Sequence, residues 1–467
     1  MTGADTTPTP SASLERLDPA LLRLAIVLVM GAVMALLDAT IVNVGIDSIR
    51  RDLGGDLAGI QWVSTGYLLA LALVAPMSGW ASERWGGKRV WMLAVAMFAA
   101  ASALCGLAWS VPVLIAFRVI QGIGGGLIQP IGQSMLAQAA GPNRLGRLMG
   151  LLVIPLTFAP VLGPVVGGAL VDGLGWQWIF LVNVPIGIAT LIAAAKVLPS
   201  GTAQPGNKID ALGLTLLCPG IAILVYGFSE AASGSGFTAT RVVVSLAVGT
   251  TALASYVVHA LRYTGTPVID LRLFANRTFS TAVSTSFLLG ASLFSSMLLL
   301  PLYYQHARGE SALQAGVQMI PQDIGIAVAT FYAGRLTDRI GARNVVLAGL
   351  ALGLIGTIVY TQVARDVPAW LLLTGLFIRG LGVGATMAPA MAAVFKSVPS
   401  QLAPRAASAN NVLHRLGGSI GTAVLAVVLA RQVADHGQAN GFAYTFWFAL
   451  ALTGLTAVPA LLMPKEA

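Results

Sequence analysis

Apolar residues run through this chain in long blocks, and short polar stretches divide them. A helix needs about 20 apolar residues to cross a bilayer core. Blocks of that size recur near 21–46, 59–80, 90–108, 112–139, 147–171, 178–198, 209–230, 241–262, 278–306, 312–336, 344–364, 368–394, 408–433 and 442–464. The pattern predicts an all-α integral membrane protein with fourteen spans. Residues 1–20, rich in Thr, Pro and Ser, read as a disordered cytoplasmic tail. The first block is too long for a signal-peptide core and contains Asp38, so a retained helix is expected.

Composition strengthens this reading. Of the 467 residues, 56% are hydrophobic and 10% charged, whereas a soluble protein carries roughly a quarter charged. Cys105 and Cys218 both fall in apolar blocks and suggest neither a disulfide nor a metal site. The net charge of +9 is a matter of orientation. Arg50, Arg51, Arg241, Arg308, Arg365 and Arg431 fall on one side, and Arg118 and Arg379 lie within blocks. The remaining Lys and Arg, Arg415 among them, group on the other side, which the positive-inside rule makes cytoplasmic. Both termini are then cytoplasmic and the membrane is the cytoplasmic membrane. No basic run suits nucleic acid.

The chain also repeats itself. GWASERWGGKRVWMLA from Gly79 aligns with GRLTDRIGARNVVLAG from Gly334, pairing Gly86 with Gly341, Glu83 with Asp338, Arg84 with Arg339 and Lys88 with Arg343. QGIGGG from Gln121 is echoed by RGLGVG from Arg379. Two related six-helix halves, 21–200 and 266–467, are expected, with two extra spans inserted over 201–265. Parallel six-span repeats with a site between them are a transporter architecture.

These motifs resemble those of the major facilitator superfamily, in particular its 14-span drug:proton antiporters (the EmrB/QacA type). The loop holding Gly79, Glu83, Arg84, Gly86, Lys88 and Arg89 is similar to the signature loop between spans 2 and 3, with Glu83 where Asp is usual. The resemblance implies a charged cytoplasmic gate there, doubled by Asp338 and Arg339. LDATIVNVG from Leu37 resembles the span 1 motif and includes Asn43; FRVIQGIGGG from Phe117 matches the embedded arginine at Arg118. APVLGPVVGG from Ala159 resembles the antiporter motif, carried by Gly163, Pro164, Gly167 and Gly168. WQWIFLVNVPIG from Trp176, PVIDLRLFANRTFS from Pro267, LPLYYQHARGESALQAGVQMIP from Leu300 and NNVLHRLGGSIGTAVL from Asn410 fit the 14-span branch.

A carboxylate within a span is costly and calls for a function. Asp38 is the first candidate for proton coupling, tuned by Arg118, with Asp323 the second. Arg379 is a possible partner for Asp323. Substrate contacts are expected from Asn43, Trp62, Gln121, Tyr303, Tyr304, Met319, Gln322 and Asp323, where acid and aromatic groups would hold lipophilic cations. The implied function is proton-coupled export of amphipathic, often cationic, drug-like molecules by a monomer in the lipid bilayer. Two alternatives remain: a dedicated exporter of one endogenous metabolite, lipid or self-made antibiotic, and a non-transporting receptor or scaffold. No cofactor or metal is expected. No GxxxxGK[ST] loop occurs, and Gly380, Gly382 and Ala385 match a dinucleotide pattern within a membrane helix with no preceding strand. No enzyme constellation is recognised.

Overall fold

The computed structural model describes residues 18–54, 57–140, 148–150, 162–163, 166–200, 210–232, 236–263, 265–363 and 367–464. Its regular elements, among the described residues, are helical. They are α1 (Pro19–Leu53), α2 (Leu57–Val74), α3 (Met77–Trp85), α4 (Gly87–Gly106) and α5 (Val111–Ala140). Next come α6 (166–174), α7 (Trp178–Leu181), α8 (Asn183–Val197), α9 (Ala211–Glu230) and α10 (Thr240–Arg262). Then follow α11 (Arg277–Leu302), α12 (Ala312–Ile340), α13 (Ala342–Ile358), α14 (Ala369–Lys396), α15 (Ala403–Leu455) and α16 (Ala457–Leu462).

Side chains at helix starts fix several boundaries. Asp18 caps α1, Asp210 caps α9 and Asn276 caps α11, each accepting from an orphan backbone N–H. Ser311 and Gln314 form a capping box on α12. Gly86 ends α3 at φ 86° and Gly341 ends α12 at φ 83°, both in the left-handed region. The two copies of the repeated loop therefore turn in the same way.

Among the described residues, ten helices are long and apolar enough to cross a membrane, or eleven if α2 and α3, bent by 57° at their break, form one span. The expected fourteen differ for identifiable reasons. The block near 147–171 lies largely outside the described residues. Gln314, Gln318, Gln322 and Asp323 lower the hydropathy of α12, which is not among the ten. The last two blocks fall in one long helical stretch, within which Gly437 at φ 77° breaks the helical path.

Helices α1, α2, α4, α5 and α8 pack on one another, as do α11 to α15. At the end bearing the α3–α4 turn, one continuous apolar core joins the two groups, from Leu28 and Trp91 to Phe279 and Phe395. At the other end the core divides. One cluster, around Ile49 and Phe180, belongs to the first group, and another, around Tyr304 and Phe446, to the second. The molecule is thus closed at one end and parted at the other. Helix α9 packs against both α2 and α15, with Trp62 stacked on Tyr226 at 6.1 Å. Helix α10 lies outside it, with Val244, Val258 and Leu261 exposed as a lipid-facing surface would be.

Candidate functional site

The first bundle encloses a polar cluster with no solvent exposure. Asp38 lies on α1, Ser102 on α4, Arg118 and Gln121 on α5 and Asn183 on α8. The Arg118 guanidinium ion-pairs with Asp38 Oδ2, and its Nη1 donates to Gln121 Oε1 at 2.8 Å. Asp38 Oδ1 accepts from Gln121 Nε2 and Asn183 Nδ2, both at 2.9 Å. Both amides also donate to Ser102 Oγ, at 3.0 and 3.1 Å. Arg118 Nε donates to the Val63 carbonyl at 3.1 Å, and its guanidinium lies 4.1 Å from the Tyr67 ring centroid. A buried ion pair persists only when its remaining hydrogen-bonding capacity is met, and this cluster meets it.

The second bundle is built differently. Arg379 on α14, 5% exposed, donates to Gln322 Oε1 on α12. Asp323, the next residue, does not pair with it, and the buried Oδ2 of Asp323 has no hydrogen-bond partner. Adjacent residues point about 100° apart on a helix, so Gln322 reaches Arg379 and Asp323 does not. A cavity of about 30 Å³ between α11, α13, α14 and α15 is lined by Arg379, His414 and Ser292 among others. It has room for water but not for a drug-sized molecule.

Between the bundles, one face of α15 lies along α3 and α5. Arg405 pairs with both oxygens of Glu83, at 2.6 and 2.8 Å, and approaches Asp270 at 3.5 Å. Ser408 Oγ donates to the Pro76 carbonyl at 2.9 Å. Asn411 Nδ2 donates to Gln133 Oε1 at 2.7 Å. Arg415 Nη2 donates to Gln129 Oε1 at 3.1 Å. Spacings of three and four residues keep these positions on one face, so they form four rungs from the closed end inward. A Cβ on Gly79 would stand 3.0 Å from the Pro404 carbonyl, so glycine lets α3 and α15 touch backbone to backbone.

The structure brings Asp38, Arg118 and Gln121 into one cluster and places Glu83 in the first rung. Lys88 turns elsewhere and donates to the carbonyls of Ala195 and Leu198 at the end of α8. Arg89 and Arg339 are exposed. Gly163 and Gly167 face α1, where added Cβ atoms would meet Thr40 and Ile41, whereas Gly168 has open space. Pro164 and the side chains of Asn43 and Asp338 lie outside the described residues.

Several expected substrate contacts are elsewhere. Tyr303 and Tyr304 are core residues at 3% and 1% exposure, packed with Phe442 and Phe446; Tyr304 shares a 2.9 Å hydrogen bond with Tyr360. Met319 packs on that cluster. Gln121 is enclosed in the first bundle, and Gln322 is taken by Arg379. Trp62 is 43% exposed but stacks on Tyr226 of helix α9. Sequence reasoning missed Ser102, Asn183, Gln129, Gln133 and Asn411. It also grouped Arg415 with the loop cations, whereas it lies within α15.

Two helical bundles meeting at one end and parted at the other define a membrane transporter fold. The family model of the Major Facilitator Superfamily matches residues 28–422 and 283–467, and the chain belongs to that superfamily. It is 40% identical over 420 residues to the multidrug resistance protein B homolog of Mycobacterium tuberculosis strain H37Rv, covering 90% of this chain and 78% of that protein. It is 30% identical to the tetracenomycin C resistance and export protein of Streptomyces glaucescens, covering 91% and 79%. Its fold is similar to that of the proton:xylose symporter XylE, with TM-score 0.68, 14% identity and 96% of each chain covered. The chain is therefore a multi-pass membrane transporter rather than an enzyme, and its relatives support drug efflux.

Proposed function

We propose that this protein is a 14-span drug:proton antiporter that exports amphipathic, drug-like molecules across the cytoplasmic membrane. The observation that carries efflux is the likeness, over 90% of the chain, to a relative named for multidrug resistance. In this reading the halves are 21–200 and 266–467, the inserted pair is 201–265, and both termini are cytoplasmic. The four rungs then close the cytoplasmic side, and this conformation faces outward.

The embedded groups divide the work. Every oxygen of Asp38 is already engaged by Arg118, Gln121 or Asn183. A proton on Asp323 Oδ2 would break no hydrogen bond, since that atom has no partner. Asp323 is therefore the proton carrier, and the Asp38–Arg118 pair ties α1 to α5 so that the first bundle moves as a unit. Inward proton movement, helped by roughly 2.3 kcal/mol per charge per 100 mV, would drive expulsion when the rungs part and re-form.

The test is efflux of unrelated dyes and drugs, ethidium among them, from energised cells lacking their own pumps. Efflux of several compounds that stops with a protonophore and in Asp323→Asn supports antiport. Efflux that survives both would remove proton coupling. One observation favours a narrower reading: a relative is named for resistance to and export of a single antibiotic. A well-expressed wild type that moves none of the panel would select that dedicated exporter.

A further inference from the structure

Among the described residues, two arginines of α15 stand between the bundles, and Arg405 is paired with Glu83 whereas Arg415 is not paired with a carboxylate. Arg118 is paired with Asp38 and fully enclosed. Arg379 is enclosed in the second bundle on Gln322. Arg415 sits twelve residues into α15, about 18 Å from its start at Ala403. It is partly buried in the seam. Among the described residues, it donates to the neutral amide of Gln129 across the seam and pairs with no carboxylate. A guanidinium has five N–H donors, and one of them is engaged by a described side chain.

A structural role explains this poorly. A neutral donor could make the same bond to Gln129 without desolvating a charge, and a lone charge at this depth is costly. The surroundings indicate what would complete it. Gln129 and Gln133 are four apart on α5, and Asn411 and Arg415 are four apart on α15, so the two innermost rungs oppose each other. When these rungs part, a guanidinium and three amides line the opened seam, drawn from both halves. This set suits an anionic group: the cation attracts it strongly in a low dielectric, and a planar acid matches the guanidinium fork.

We propose that Arg415 anchors an acidic group on the exported molecule, so that the preferred substrates are amphipathic anions: an apolar body with one carboxylate or ionised phenol. This rests on the efflux reading above and names the substrate class for it. It replaces the cation preference expected from sequence alone.

The test uses the full-length protein in proteoliposomes with two xanthene dyes, anionic fluorescein and cationic rhodamine 6G. Wild type is expected to move fluorescein faster. The fluorescein-to-rhodamine 6G flux ratio is expected to fall about tenfold or more in Arg415→Gln, the scale of one charge-assisted hydrogen bond, and to be largely restored in Arg415→Lys. Fluxes are normalised to monodisperse protein, and the Lys variant keeps the test decisive if the Gln variant folds poorly. A ratio equal in wild type and Arg415→Gln, or rhodamine 6G transport without fluorescein transport in wild type, overturns the proposal while leaving efflux intact. Transport of neither dye removes the general efflux reading and this proposal with it.

Discussion

The two bundles each bury an arginine on the helix that carries the repeated glycine-rich segment, yet they complete it differently. In the first, Arg118 meets a carboxylate, and two amides donate both to Asp38 Oδ1 and to the Ser102 hydroxyl. In the second, Arg379 meets only the Gln322 amide, and the neighbouring carboxylate of Asp323 keeps a bare oxygen. A saturated buried network rigidifies its surroundings, and an unpaired buried polar atom is costly. The repeat thus supplies one framework completed in two ways, by an ion pair on one side and by a neutral amide on the other.

The comparison can be broken most forcefully at Arg118. Arg118→Met leaves Asp38 buried and unpaired, and a loss of about 3–5 kcal/mol is expected, read as a large drop in melting temperature in detergent. A small drop would show that the tie is not structural. Between the bundles, Glu83→Gln removes the charge from the outermost rung and should cost the closed state about 2 kcal/mol. A thiol reagent should then reach Ser82→Cys, which is buried on α3, roughly thirtyfold faster than in the parent. Gly79→Val should act in the same direction by about 1–2 kcal/mol, because its side chain would press on the Pro404 carbonyl. Unchanged labelling in both would mean that the apolar core alone holds the closed end. Asp323→Asn should change stability by less than about 1 kcal/mol, since no bond is lost at Oδ2, while coupling disappears. A melt as damaged as that of Arg118→Met would erase the distinction between the bundles.

Much of the fold was legible because lipid imposes a simple rule, long apolar blocks with charges between them. The rule weakened in two places: the first half of α12 holds three glutamines and Asp323, and the last two blocks are joined by a kink at Gly437 rather than by a polar loop. At the site, Asp38 and Arg118 stood out as charges inside apolar runs. Ser102 and Asn183 did not, because single neutral polar residues are ordinary there. Tyr303 and Tyr304 looked like cavity aromatics, but aromatic area is also the best filler for a helical core, and that is where they sit. The rungs of α15 join residues some 280 to 330 positions apart, beyond any local pattern. Arg415 was misplaced for a narrower reason: counting it as a topology signal hid that its own block had already begun.

The pairing of α9 with α10 has a consequence for the flanks of the molecule. Because α9 rests on both α2 and α15, it shutters one of the two lines along which the bundles abut. The other runs beside α12, where Gly150 approaches the Thr330 carbonyl, and α9 does not cover it. Among the described residues, the two flanks of the bundle contact are therefore unlike, one overlaid by a helix and the other not, so lipid acyl chains would pack against them differently.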